Sequence, residues 1–232
     1  MSNNAARYQQ RTEGSTRKNT RKEKAAVACD AGTLAEVKEK YRQERLERVQ
    51  KLSPKNEHQS ETIEAFKDKQ LIIQSGSAGV GKTELACWWA SKLWLEGKID
   101  TIVITRPHKH LGDDYGAVKG SDAEKLLPFC MSILMKLRKH LGVGTLRNNF
   151  KMDRLDDLFG DAKGIVIVPI EKIQGLSYDS RTIIIGDEIQ SASVSQVKAL
   201  ATRMEEGCQL LLCGDKLQSA ISGINCLEYL EQ

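Results

Sequence analysis

The residues Gly76, Ser77, Ala78, Gly79, Val80, Gly81, Lys82 and Thr83 carry the clearest chemistry in the chain, and together they match GxxxxGK[ST] in full. Glycine tolerates the backbone angles that turn successive N–H groups inward around phosphate oxygens, and a helix opening at Lys82 adds its positive end. Lys82 is placed to reach the β and γ phosphates of a nucleotide, and Thr83 offers a hydroxyl to Mg²⁺. Glu84 follows in the first turn of the same helix and is counted with the nucleotide-binding residues. A Gly-rich turn that merely joins a strand to a helix would not explain Lys and Thr directly after the last glycine.

Two further segments complete the chemistry. Ile183 to Ile185 run through Gly186 into Asp187 and Glu188, two adjacent carboxylates at the end of an apolar stretch. Open α/β sheets hold ligands at the carboxyl ends of their strands. There Asp187 suits Mg²⁺ held through its water shell, and Glu188 suits a base that orients and deprotonates an attacking water. The third segment, Cys213-Gly214-Asp215-Lys216-Leu217-Gln218, follows another apolar run. The amide of Gln218 can donate to a phosphate and accept from water, although GDxxQ alone is an ordinary turn. The three segments point to ATP with Mg²⁺ as ligands, to Glu188, Lys82 and Gln218 as catalytic residues, and to Thr83 and Asp187 at the metal.

Short apolar runs bounded by turn residues must carry these groups. Leu71–Gln74, Thr101–Thr105, Ile165–Val168, Thr182–Ile185 and Gln209–Cys213 are almost unalternating, as expected of strands covered on both faces. Helical stretches lie between them: Lys82–Glu96 before Gly97, and Asp122–Leu141 before Gly142. Ser193 and Gln196 have the spacing of a capping box that opens a helix to about Arg203. The alternation predicts a three-layer α/β domain with a mostly parallel central sheet.

Outside this core the composition changes. Residues 1–28 hold seven basic side chains against two acidic ones, a net charge of +5 that exceeds the +4 of the whole 232-residue chain. Such a stretch cannot bury enough apolar surface to fold. It reads as a disordered basic tail, either a solubility device or a salt-sensitive grip on nucleic-acid phosphates. Residues 29–53 read as a helical lead-in with a thin stripe of Leu34, Val37, Tyr41, Leu46 and Val49, ended before Pro54. The compact domain is expected over residues 54–232. Six cysteines stand singly with no CxxC pair, which favours reduced buried thiols over structural zinc. No apolar run approaches the roughly 20 residues of a membrane span, and a cytoplasmic location is expected.

The order of GSAGVGKTELA, Thr105-Arg106-Pro107, Gly120-Ser-Asp-Ala-Glu124-Lys125-Leu-Leu-Pro128, IIIGDEIQ and GDKLQ resembles the PhoH-like family, relatives of the first RecA-like domain of superfamily 1 helicases. The resemblance covers roughly Pro54 to Gln218. It implies a RecA-type strand order, with the strand before GDxxQ between the strand of the phosphate loop and that of the DE pair. It also implies that Gln59 reads adenine, which suits an amide able to pair with N6 and N7, and that Arg106 touches nucleic acid unless an internal ion pair holds it. Arg203 matches a Leu-Thr-Arg stretch of the family. The sequence departs from the family in Gln174-Gly175, in Gly186 where a bulkier residue is usual, and in stopping about 14 residues after Gln218, so that some residues for assembly or for completing the nucleotide site are expected to be absent.

Three functions fit this reading: an ATPase acting on single-stranded RNA or DNA, a nucleotide-gated binding protein without turnover, and a nucleoside kinase, which lacks here the CxxC pairs of RecA-like thymidine kinases. Lys82 faces the γ-phosphate from one side only, so a second cation is expected from a neighbouring chain. That implies a homo-oligomeric ring, a hexamer by analogy with the family, with Arg106, Arg138, Arg147, Arg154, Arg181 and Arg203 as candidate donors; the alternative is a monomer with slow basal turnover.

Overall fold

The computed structural model describes residues 35–107, 121–151, 163–173, 176–219 and 226–230. The tail 1–28, Arg154 and Gln174-Gly175 lie outside them. The chain divides into residues 1–45 and 46–232. Residues 35–50 form helix α1. Val37 and Tyr41 are exposed, so the expected stripe is not a buried face there, whereas Leu46 and Val49 pack into the core of the larger unit.

That core is built on six parallel strands, β1 (Leu71–Ser75), β2 (Thr101–Thr105), β3 (Phe150–Lys151), β4 (Gly164–Ile167), β5 (Thr182–Gly186) and β6 (Gln209–Gly214). Their order is β1-β6-β5-β2-β4-β3, and every neighbouring pair is parallel. The strand before GDKLQ therefore lies between the other two motif strands, as the RecA-type order requires. The strands are apolar on both sides because both faces are covered. Ile102, Ile104, Ile183, Ile185 and Leu211 join one buried cluster with Phe66, Leu85, Trp88, Ile133 and Leu137. Val103, Ile184, Leu210 and Leu212 turn the other way, toward Val197, Leu200 and Leu227.

The first face is covered by α2 (Glu57–Asp68), α3 (Lys82–Leu95) and α4 (Asp122–Leu141), with α5 (Val143–Asn149) following; the second by α6 (Val194–Ala201) and α7 (Cys226–Leu230). Capping fixes several ends. Ser121 and Glu124 form a capping box at α4, and Ser193 and Gln196 form the expected one at α6. Helix α6 stops at Ala201, short of Arg203, because the Thr202 N–H bonds to Lys198 and Leu200 carbonyls in a tightened last turn. Helices α2 and α5 and the two-residue β3 are additions to the expected elements. No helix among the described residues is long and apolar enough to cross a membrane.

One side chain ties three elements together. Gln209 at the start of β6 accepts from Trp89 Nε1 at 2.8 Å and donates from Nε2 to the carbonyls of Phe66 at 2.7 Å and Lys69 at 2.8 Å. Phe66 is fully buried and stacks on Trp89 with 5.5 Å between ring centroids. Phe66→Ala removes that stack and leaves a cavity, and should lower stability by about 3–5 kcal/mol. The change is read as a shift in the urea midpoint at constant slope, and a loss below about 1 kcal/mol would mean that α2 docks by other contacts.

Candidate functional site

Strand order converts three separate motifs into one site. In register, Ser75 of β1 sits beside Gly214 of β6, and Gly186 of β5 sits beside Leu212. The three strand ends thus carry the phosphate loop, GDKLQ and the DE pair side by side. The Gly76 N–H donates to the Gly214 carbonyl at 3.3 Å, joining the first two.

Within the loop, Gly79 and Gly81 have φ of 85° and 99°, left-handed values that L side chains avoid. Gly81 caps α3, and its carbonyl accepts from Leu85 N–H at 2.9 Å. Lys82 folds back so that Nζ donates to the carbonyls of Gly76 at 2.6 Å and Ser77 at 2.9 Å. Its ammonium is thereby held against its own loop. Gln59 on α2 donates to Val80 O at 3.1 Å and accepts from Lys55 N–H at 2.9 Å. Its amide is placed at the rim of the loop and engaged at both ends.

Thr83 and Asp187 meet directly, with Thr83 Oγ1 donating to Asp187 Oδ1 at 3.0 Å. Asp187 is buried, and burial pushes its carboxyl above the usual carboxylate range; Glu188 adds to the rise, while Thr83, Arg106 and Lys136 oppose it. Arg106 approaches Asp187 Oδ2 at 3.9 Å and donates to Phe129 O at 2.9 Å. Arg106 is thus engaged with Asp187 and Phe129, the internal contact that is one of its two readings.

Glu188 adopts φ 54°, ψ 37°, the one left-handed non-glycine among the described residues. Such a conformation costs on the order of 1 kcal/mol and is held here by Gln190. Gln190 is buried; its Nε2 donates to Glu188 Oε2 at 2.6 Å and its Oε1 accepts from Asp215 N–H at 3.1 Å. It therefore couples the DE turn to the GDKLQ turn. Sequence reasoning passed over Gln190, and only its place in IIIGDEIQ hinted at it. Gly186 is crowded, since a Cβ there would come within 2.9 Å of Ile189 and Leu212 side chains. The bulk usual before the aspartate is supplied here by those neighbours.

These groups surround a cleft of about 330 Å³. One wall is the loop, with Ala78, Gly79, Gly81, Lys82, Thr83 and Glu84; the other holds Asp187, Glu188, Gly214, Asp215 and Gln218, with Lys136 contributed by α4. Gln218 lies on a 3-10 turn over Lys216–Gln218 whose first bond runs from Leu217 N–H to Asp215 Oδ1 at 3.0 Å. Glu84 has a second engagement, an ion pair with Lys139 and a hydrogen bond with His140 Nε2 of α4. Of the candidate cation donors, Arg181 sits before β5 in an ion pair with Asp100, at the sheet edge opposite the cleft.

The chain is 27% identical to Protein PhoH of Escherichia coli over 71% of its own length and 44% of that protein. It is 34% identical to Protein PhoH2 of Bacillus subtilis over 74% of this chain and 38% of that one. The chain thus spans less than half the length of these relatives. Among solved structures it resembles the large terminase from a thermophilic bacteriophage, at 15% identity and a TM-score of 0.42, covering 70% of this chain and 39% of that one. That likeness is too slight to add to the fold argued from strand order. A family model described as PhoH-like protein matches residues 51–227, and with its motif order and strand order in agreement the chain belongs to the PhoH-like family.

Proposed function

We propose that this chain binds ATP with Mg²⁺ and hydrolyses it. The observation that carries the reading is the contact of Thr83 with Asp187 at 3.0 Å, beside Glu188 and across the cleft from the lysine-bearing loop. A hydroxyl and a carboxylate in contact, with the carboxylate's charge only partly compensated, form a donor set that fits Mg²⁺. Thr83 and Asp187 would hold the ion, which would offset phosphate charge there. The loop N–H groups and Lys82 hold the phosphates, and Gln218 faces them from the opposite turn. Glu188 takes the proton of the attacking water, and the carboxamide of Gln190 keeps its Oε2 fixed while it does so. Gln59, next to Val80, is the residue proposed for adenine.

The proposal extends to nucleic acid and assembly. The +5 charge of residues 1–28 supports contact with RNA or DNA phosphates, in a cytoplasmic setting. A head-to-tail ring, in which a neighbour completes the cleft, belongs to the same reading, provided the cleft has no second cation of its own.

Lys82→Ala should abolish measurable ATP affinity in calorimetric titration, and retained affinity would remove the loop from the site. Glu188→Gln should keep ATP affinity and lower phosphate release by on the order of 10² or more. An unchanged turnover would place the base elsewhere.

A pH-linked effect follows at Asp187. Its folded carboxyl is raised, so the folded state holds the proton to higher pH than the unfolded chain. The ionised form then subtracts stability as pH climbs through and beyond the usual carboxylate range. Asp187→Asn should therefore leave the melting temperature at pH 7 unchanged or higher while Mg²⁺-dependent turnover disappears. A clear drop in melting temperature would mean that the ion pair with Arg106 outweighs the cost of burial.

Removing residues 1–28 should weaken binding to a single-stranded oligonucleotide and flatten its salt dependence. Equal slopes for the two chains would leave the tail no role in binding.

A further inference from the structure

Hydrolysis moves negative charge in a defined direction. Water adds to the γ-phosphorus while the bond to the β–γ bridging oxygen breaks. The water proton passes to Glu188, and ADP leaves carrying the bond's electron pair, with the freed phosphate carrying the rest of the charge. Positive charge close to the transferring group is what lowers this barrier. Lys82 approaches from the loop wall, bound to the carbonyls of Gly76 and Ser77. The opposite side of the cleft holds the carboxylates Asp187, Glu188 and Asp215. A terminal phosphate brought against that wall calls for a further protein cation besides Lys82 and the Mg²⁺ proposed at Thr83 and Asp187.

Lys136 meets the requirement from within the chain. It lies on α4, is half-buried, and lines the same cleft as Lys82, Thr83, Asp187 and Glu188. Its ammonium has no ion pair or hydrogen bond among the described residues, unlike Lys92, Lys125, Lys139, Lys163 and Lys172, each of which has a carboxylate within 4.0 Å. Two features fix its place. Ile133 and Leu137, on either side of it in the helix, are fully buried against α3 and the sheet. Beyond Lys136, Lys139 and His140 clamp Glu84, the residue after Thr83, with His140 Nε2 at 3.2 Å. The clamp ties the last turn of α4 to the first turn of α3, so Lys136 is carried on a helix anchored at the phosphate loop itself.

We propose that Lys136 is a catalytic residue that engages the terminal phosphate of ATP in cis, so that the second cation comes from α4 and not from a neighbouring chain. The inference rests on the nucleotide reading above. It assigns α4 the task that the one-sided charge of Lys82 had left to a partner's arginine.

The test compares Lys136→Met, Lys136→Arg and the unaltered chain, with folding checked by urea midpoints. Lys136→Met should lower kcat by on the order of 10²–10³. It should weaken ATP while leaving ADP affinity within about twofold, since ADP lacks the group addressed. Lys136→Arg should restore most of the loss. A lysine that only neutralised Asp187 would change ATP and ADP affinity together, and that result, or an unchanged kcat in Lys136→Met, overturns the proposal. Mixing Lys136→Met with Lys82→Ala separates cis from trans. Recovered activity would show that one chain donates its Lys136 to another's loop and would overturn the cis assignment; no recovery upholds it. If the unaltered chain itself fails to bind ATP, the nucleotide reading falls first, and Lys136 with it.

Discussion

The hydroxyl of Thr83 donating to Asp187 across 3.0 Å is the contact on which the site depends, because it joins two residues 104 positions apart in the chain. It can form only because β6 lies between β1 and β5, a spacing that sets the end of β5 two strands from the loop after β1. The rest of the arrangement serves that spacing. Apolar side chains alternate to two buried clusters and hold the strands between helix layers, and Gln209 fastens α2 and α3 to the start of β6. The chemistry sits at one edge of the sheet and the fastening at the other.

The cost of the arrangement is concentrated at the DE turn. Asp187 is buried with its charge incompletely matched, and Glu188 is held in a conformation that only glycine adopts freely. Neither would persist unless neighbours over-determined it. Gln190 does so through both ends of its amide, and a Cβ on Gly214 would come within 2.8 Å of that amide's oxygen. The glycine of GDKLQ therefore makes room for the side chain that steadies the glutamate of the DE pair.

Much of this was legible in the sequence, for reasons that differ by element. The five longer strands show as apolar runs because burial on both faces leaves no polar alternation to blur them. Helix α4 shows as a helical stretch stopped by Gly142, and the structure adds the Ser121–Glu124 capping box that fixes its start. Helix α2 did not show: its only fully buried residue is Phe66, and its signal was the Asn56 side chain accepting from Gln59 N–H. The two-residue β3 has no pattern to read. Site residues adjacent to motif glycines or in an acidic pair were visible by type. Gln190 and Lys136 were not, because a glutamine after an isoleucine and a lysine on an amphipathic helix look alike whether they face solvent or a cleft. Arg106 lies 3.9 Å from the buried Asp187, the contact its internal reading expects, whereas its type and place in the sequence carried both readings alike.

The five described cysteines are all buried and unpaired. Burial pushes Cys130 and Cys208 up to about 12 and Cys226 to about 11, and it raises Cys87 and Cys213, next to the phosphate loop and the GDKLQ turn, further still. A thiol reagent reacts with thiolate, so none of these sulfurs is a target while the sheet is closed. Their alkylation rates instead report how often each region opens, giving five internal clocks distributed over both layers of the core. Cys87 and Cys213 time the nucleotide edge, and Cys208 and Cys226 time the opposite face, so slowing of the first pair alone by a ligand would distinguish tightening at the cleft from stabilisation of the whole domain.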